Sequence, residues 1–134
     1  MLPLGAATDS PAAIRLLLVD DVPQVRRELR TALGLTGGVQ VVGEAADGRR
    51  AVDLVESLNP DAVLMDLEMP GMDGFEAAAL IKAAAPSCRL VALTIHAGAE
   101  ERQRAHAAGF DAFVVKGASM LTLMLAIQTQ GETR

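Results

Sequence analysis

Asp20 and Asp21, Asp66, Thr94 and Lys116 each stand at the end of a short apolar run. If folding gathers them, they make three carboxylates, one hydroxyl and one ammonium in a single place. Carboxylates so crowded repel one another unless a cation lies between them. Mg2+, which prefers hard oxygen ligands and keeps positions open for phosphate oxygens, suits such a set. A carboxylate beside bound Mg2+ can attack phosphorus and form an aspartyl-phosphate. A lysine and a threonine then serve as donors to the phosphoryl oxygens. Each residue also has a plainer reading. Asp66 could close a strand, Thr94 could be a strand residue, and Lys116 a solvated strand end. Asp21, followed three residues later by Gln24 with Pro23 between, fits a helix capping box. Asp20 has no such role, and the appearance of all five at corresponding positions favours the chemical reading.

The elements that must position them follow from hydrophobic period and turn residues. Ile14 to Val19 reads as a buried strand, and Val22, Val25, Leu29 and Leu33 mark a helix broken by Thr36-Gly37-Gly38. Val39 to Gly43 reads as a second strand running to Glu44 and Ala45. Asp47-Gly48 turns into a helix marked by Ala51, Val52, Val55 and Leu58 and ended by Asn59-Pro60. Ala62 to Asp66 is the third strand, followed by a turn through Gly74 and a helix stopped at Pro86. Arg89 to Leu93 delivers Thr94, and Ala112 to Val115 delivers Lys116. Between them, Glu100 to Ala108 is helical in propensity yet nearly devoid of large apolar residues, so it should be weakly anchored and able to shift. A final helix is expected from about Ser119 to Gln130. Its Met120, Leu121, Leu123, Met124, Leu125 and Ile127 cover a wider arc than one buried face needs, which leaves Leu121 and Leu125 as candidates for an exposed partner surface. Alternating strands and helices predict one α/β domain, a doubly wound parallel sheet with right-handed crossovers. In such a sheet every strand ends at the same edge, so the five residues converge in one crevice.

Composition narrows the function. The net charge of −5 over 134 residues argues against gripping a phosphate backbone, and three phenylalanines as the only aromatics make a base-stacking surface an unpromising reading. Cys88 has no partner for a disulfide and reads as a small buried hydrophobe. No apolar run reaches membrane-spanning length, and residues 1–13 lack a signal-peptide pattern, so a cytoplasmic protein is the expectation. No glycine-rich loop follows the first strand, which disfavours nucleotide and flavin binding.

Leu17-Leu18-Val19-Asp20-Asp21, Asp66-Leu67-Glu68-Met69-Pro70-Gly71-Met72-Asp73-Gly74, Thr94, and Gly109-Phe110-Asp111-Ala112-Phe113-Val114-Val115-Lys116 together resemble a response-regulator receiver domain of two-component signalling. Val41 to Ala45 and Asp47-Gly48 resemble the NarL/FixJ-like branch, which usually carries a helix-turn-helix output domain. The resemblance implies a CheY-like, flavodoxin-like (βα)5 fold with strand order 2-1-3-4-5. It implies a flexible leader at 1–13, a receiver domain at 14–130 and a tail at 131–134. Asp66 would be the phosphoacceptor, served by a sensor histidine kinase or a phosphotransfer protein. Asp21, Asp66 and the backbone carbonyl of Glu68 would hold Mg2+, with Asp20 helping through water. Lys116 would pair with the phosphoryl group, Thr94 would move in to bond it, and Phe113 would change rotamer. The face made by the helix from Glu100 to Ala108, the strand from Ala112 to Val115 and the last helix would then meet an output domain or a second copy, for a transcriptional output without direct nucleic-acid binding by this chain. No enzyme activity is implied beyond self-phosphorylation and autodephosphorylation at Asp66.

The chain departs from the family pattern at three places. Gly117 stands where most receivers have proline, and a glycine can follow the same path without enforcing it. Ile95 is bulky beside Thr94 and would narrow access to Asp66. Glu68 adds a negative side chain that would either repel the phosphoryl group or orient attacking water. Two other functions stay open at this point: a pseudo-receiver that binds partners without using phosphate, and, on weaker grounds, a Mg2+-dependent phosphohydrolase. His96, just past the fourth strand, reads as a solvated loop residue.

Overall fold

The computed structural model describes residues 13–69, 71–96 and 98–128. The expected leader and tail fall almost wholly outside them. Five parallel strands, β1 (Ile14–Val19), β2 (Val39–Ala45), β3 (Ala62–Asp66), β4 (Arg89–Thr94) and β5 (Ala112–Val115), lie in the order β2-β1-β3-β4-β5. Five helices alternate with them: α1 (Pro23–Thr36), α2 (Gly48–Leu58), α3 (Gly74–Ala84), α4 (Ala99–Ala108) and α5 (Met120–Gln128). Strand order and element types match the sequence expectation. The expected end of the last helix at Gln130 lies outside the described residues.

Alternation along each strand sorts the apolar residues into two cores. Leu17, Val19, Val63, Met65, Leu90 and Ala92 face α2, α3 and α4, where Val55, Ile81 and Ala105 meet them. Leu16, Leu18, Leu64, Val91 and Val114 face α1 and α5, where Leu33, Leu123 and Ile127 meet them. Truncating a residue as enclosed as Leu64 to alanine should cost about 2–5 kcal/mol. The crossovers bring α2 and α3 very close: a Cβ on Gly48 would lie 3.0 Å from that of Ala77. Only a residue without a side chain opens α2 there without displacing α3.

Local chemistry sets the helix ends. Asp47 caps α2 by accepting from Arg50 N, and Asp73 caps α3 by accepting from Phe75 N. Asn59, at φ 52°, closes α2 just before Pro60. The capping box expected of Asp21 does not form. α1 begins at Pro23, whose fixed φ suits the first helical position, so Val22 occupies the cap position and makes no side-chain cap. The Asp21 carboxylate therefore makes no cap hydrogen bond to the helix.

At the amino edge of the sheet, charges serve the backbone. Asp61 accepts from Arg15 N, Asp111 accepts from Leu90 N, and Lys82 bridges Asp111 at 2.8 Å. Cys88 is buried nearby, as expected, with burial pushing its thiol up to about 11.

Candidate phosphoryl and metal site at the carboxyl edge

The carboxyl ends of β1, β3, β4 and β5 bring Asp20, Asp21, Asp66, Thr94 and Lys116 to one edge of the sheet. One carboxylate oxygen from each of Asp20, Asp21 and Asp66 lies within 4.8 Å of the others. Asp66 ends the central strand and is 3% exposed. Its two oxygens are held apart in function: Oδ1 accepts from Glu68 N at 2.8 Å and Oδ2 from Lys116 Nζ at 3.0 Å. Lys116 is positioned in turn by its own N–H, which donates to Thr94 O at 2.7 Å.

Asp20 is as deeply buried as Asp66. Its Oδ1 accepts from Val22 N at 2.9 Å, but its buried Oδ2 has no hydrogen-bond partner among the described residues. Burial is the largest influence on this carboxyl and raises it. The Val22 N–H opposes that rise, the adjacent Asp66 charge adds to it, and the net position is above the ordinary carboxylate range. Burial alone would lower the Lys116 ammonium, yet its bond to Asp66 and the charges of Asp66, Glu68 and Asp20 hold it above the ordinary lysine range. One lysine against this many carboxylates leaves the crevice short of positive charge. A divalent cation with a taste for oxygen fits both the triad and the orphaned Oδ2.

Thr94 is fully buried. Its hydroxyl donates to Glu68 Oε2 at 2.6 Å and accepts from His96 N at 3.0 Å. The Glu68 carboxylate also accepts from Ile95 N at 3.3 Å and lies 3.6 Å from Lys116 Nζ. The sequence reading placed Glu68 at the site through its backbone and left its side chain either repelling phosphate or aligning water. The side chain instead reaches across to the end of β4. Ile95 itself is 60% exposed and takes part through its backbone N–H, while His96 is exposed as expected.

Gly117 does not follow a proline-compatible path. Its φ of 95° is one that a proline ring, fixed near −65°, cannot adopt. The open space around it would accept a Cβ, so backbone conformation alone demands glycine.

Phe113 lies half-buried on β5, with the Arg102 guanidinium 4.7 Å from its ring centroid. Arg104 covers Phe75 at 4.1 Å, and Phe75 meets Phe110 edge-on. As the sequence implied, α4 buries little: Ala105 is its one buried residue. The arginines over aromatic rings were not anticipated, although their spacing on an otherwise polar helix was a readable signal. Leu121 and Leu125, 68% and 55% exposed, sit on the outer side of α5 and away from the carboxylates.

A second set of charges flanks the crevice. Glu44, near the end of β2, accepts from Arg26 Nε at 2.9 Å and Arg30 Nε at 2.7 Å. Arg26 also donates to the Asp20 carbonyl at 2.6 Å, tying the two sets together through backbone.

Residues 16–128 match the model of the response regulator receiver domain family. The chain is 33% identical over 121 residues to the nitrate/nitrite response regulator protein NarL of Escherichia coli strain K12, covering 90% of this chain and 55% of that one. It is 40% identical over 128 residues to the transcriptional regulatory protein PdtaR of Mycobacterium tuberculosis, covering 92% and 60%. The chain thus spans little more than half the length of these curated relatives. Among solved structures, a LuxR-family two-component response regulator from Aurantimonas sp. SI85-9A1 superposes with a TM-score of 0.80 at 35% identity, covering 84% of this chain and 81% of that one. The signal receiver domain of the putative response regulator NarL from Mycobacterium tuberculosis gives 0.78 at 33%, covering 87% and 98%.

Proposed function

Since the chain belongs to the receiver-domain family of response regulators, we propose that it is a phosphorylation-activated switch with Asp66 as the phosphoacceptor. The observation that carries this reading is the position of Asp66. It is buried at the end of the central strand, bonded to Lys116, and within 4.8 Å of two further carboxylates, one of which has a partnerless buried oxygen.

In this account a carboxylate oxygen of Asp66 attacks the phosphorus of a kinase phosphohistidine. The P–N bond breaks, the imidazole leaves with the electron pair and takes up a proton, and Asp66 becomes an acyl phosphate. Lys116 holds Asp66 beforehand and pairs with the phosphoryl oxygens afterwards, a fixed cation where negative charge gathers. Asp21, Asp66 and the Glu68 carbonyl would hold Mg2+, with Asp20 acting through water. When bound, the ion neutralises the carboxylates and orients the phosphoryl oxygens. Thr94 donates its hydroxyl to the new group and Phe113 changes rotamer with it. Around them, α4 has little burial to lose, so a modest energy suffices to shift it. The α4-β5-α5 face, with Leu121 and Leu125 at its margin, would carry the change to an output domain or a second copy, and through it to transcription.

Intact-mass measurement after incubation with Mg2+ and acetyl phosphate tests this. The wild type should gain one phosphoryl group and Asp66→Asn none. A wild type that gains nothing from acetyl phosphate or from a cognate kinase overturns the reading and leaves a pseudo-receiver.

A further inference from the structure

We infer that the Glu68 carboxylate is an internal anion seated on the donors that a phosphoryl group on Asp66 must use, so that phosphorylation proceeds by displacing it. This rests on the reading of Asp66 as phosphoacceptor.

Three donors converge on this one side chain: the Thr94 hydroxyl at 2.6 Å, the Ile95 N–H at 3.3 Å and the Lys116 ammonium at 3.6 Å. They come from the ends of two different strands and flank Asp66, whose Oδ2 shares the same lysine. A hydroxyl, a backbone N–H and an ammonium around one negative group form an anion seat. Thr94 has a single proton to give, and Glu68 has it. Its acceptor side is also engaged, by His96 N. The hydroxyl thus cannot serve a phosphoryl oxygen until the Glu68 carboxylate leaves.

Two consequences separate this arrangement from simple repulsion by a nearby charge. The first is geometric. A glutamate reaches Thr94 and Ile95 from Asp66 plus two residues, whereas an aspartate, shorter by one carbon but equally charged, falls short of the seat. The second concerns Thr94, whose hydroxyl is already bonded to an anion belonging to the protein itself. The resting switch therefore has its threonine engaged, and phosphorylation exchanges one anionic partner for another.

The test is a titration with beryllofluoride, a phosphoryl mimic that bonds a carboxylate oxygen, at fixed Mg2+. Bound fluoride is read by 19F NMR in wild type, Glu68→Ala and Glu68→Asp. Both substitutions keep the backbone carbonyl assigned to the metal. Displacement of a charge-assisted set of hydrogen bonds predicts binding about tenfold tighter in Glu68→Ala, with Glu68→Asp close to it. The Ile95 amide resonance should move in both free variants and agree with wild type once beryllofluoride is bound. If Glu68→Asp binds as weakly as wild type, charge and not occupancy governs, and the inference is overturned. Equal affinity in all three overturns it too, while leaving the phosphoacceptor reading intact. Failure of all three to bind overturns that reading and this inference with it.

Discussion

Two carboxylates toward the carboxyl ends of the neighbouring strands β1 and β2 stand in opposite electrostatic surroundings. Glu44, at the end of β2, is gripped by Arg30 and Arg26. The Arg30 hydrogen bond is the largest influence on it, burial opposes, Arg26 adds, and the carboxyl is held below its ordinary range. Asp20, one strand away, is more deeply buried, faces Asp66, and keeps one oxygen without a partner. Its carboxyl is held above the ordinary range. Folding has paired one charge with two guanidinium groups and left the other in deficit. A compensated carboxylate is architecture. One left in deficit, at the edge where parallel sheets bind ligands, is a site in waiting.

The sharpest way to break the comparison is to remove one member of each set and measure Mg2+ binding by calorimetry. Asp21→Asn should weaken it at least about tenfold, by loss of a charged ligand, while Glu44→Gln should leave it within about twofold. Equal losses would mean that general negative charge, and not the triad, draws the ion.

Stability without metal should then move in opposite directions. Asp20→Asn removes a buried charge that is only partly compensated and should raise unfolding free energy by about 1 kcal/mol in urea at neutral pH. Glu44→Gln should lower it by less than about 1 kcal/mol, since Glu44 and its arginines remain partly solvated.

The pH dependence gives each sign a separate check. Glu44 has a depressed folded value, so its contribution is present above the unfolded value of 4.5 and is lost as pH falls through the folded one. Asp20 has a raised folded value. The native state keeps its proton longer than the unfolded chain, so stability is lost as pH rises from 3.8 through the folded value. The penalty relieved by Asp20→Asn should accordingly vanish in acid, and the deficit of Glu44→Gln should vanish there as well. A gain for Asp20→Asn that persists at low pH would contradict the charge-deficit explanation. The smallest effect is salt: moving from about 0.05 to 0.5 M should narrow the Glu44→Gln difference by a few tenths of a kcal/mol and change that of Asp20→Asn less, because burial shields it from screening.

Much of this architecture was legible in the residues. The strands are short apolar runs with sharp polar ends, and parallel topology fixes which ends meet, so residue type and order alone bring Asp20, Asp66, Thr94 and Lys116 together. What escaped depended on side-chain reach or backbone sign. Asp21 carried a plausible capping pattern, and only the start of α1 at Pro23, which puts Val22 at the cap, releases it. The turn of Glu68 toward Thr94 follows from the loop after β3, which no periodicity describes. Pairing of Arg26 and Arg30 with Glu44 crosses from helix to strand, and the positive φ at Gly117 is invisible in a residue type that permits either sign. For α4, the missing apolar stripe was visible, but its anchorage by Arg102 and Arg104 on phenylalanine rings was not.

Two backbone amides report directly on the set in deficit. Val22 N–H donates to Asp20 Oδ1 and Glu68 N–H donates to Asp66 Oδ1, while the Nε–H groups of Arg26 and Arg30 report on Glu44. An NMR titration of the unmodified protein with Mg2+ should therefore shift the Val22 and Glu68 amides in a saturable, parallel fashion and leave the two arginine Nε–H resonances nearly still. If the arginine resonances move as far as the amides, or if Val22 and Glu68 do not respond, the carboxylates at the end of β1 and β3 are not a cation site and the account fails.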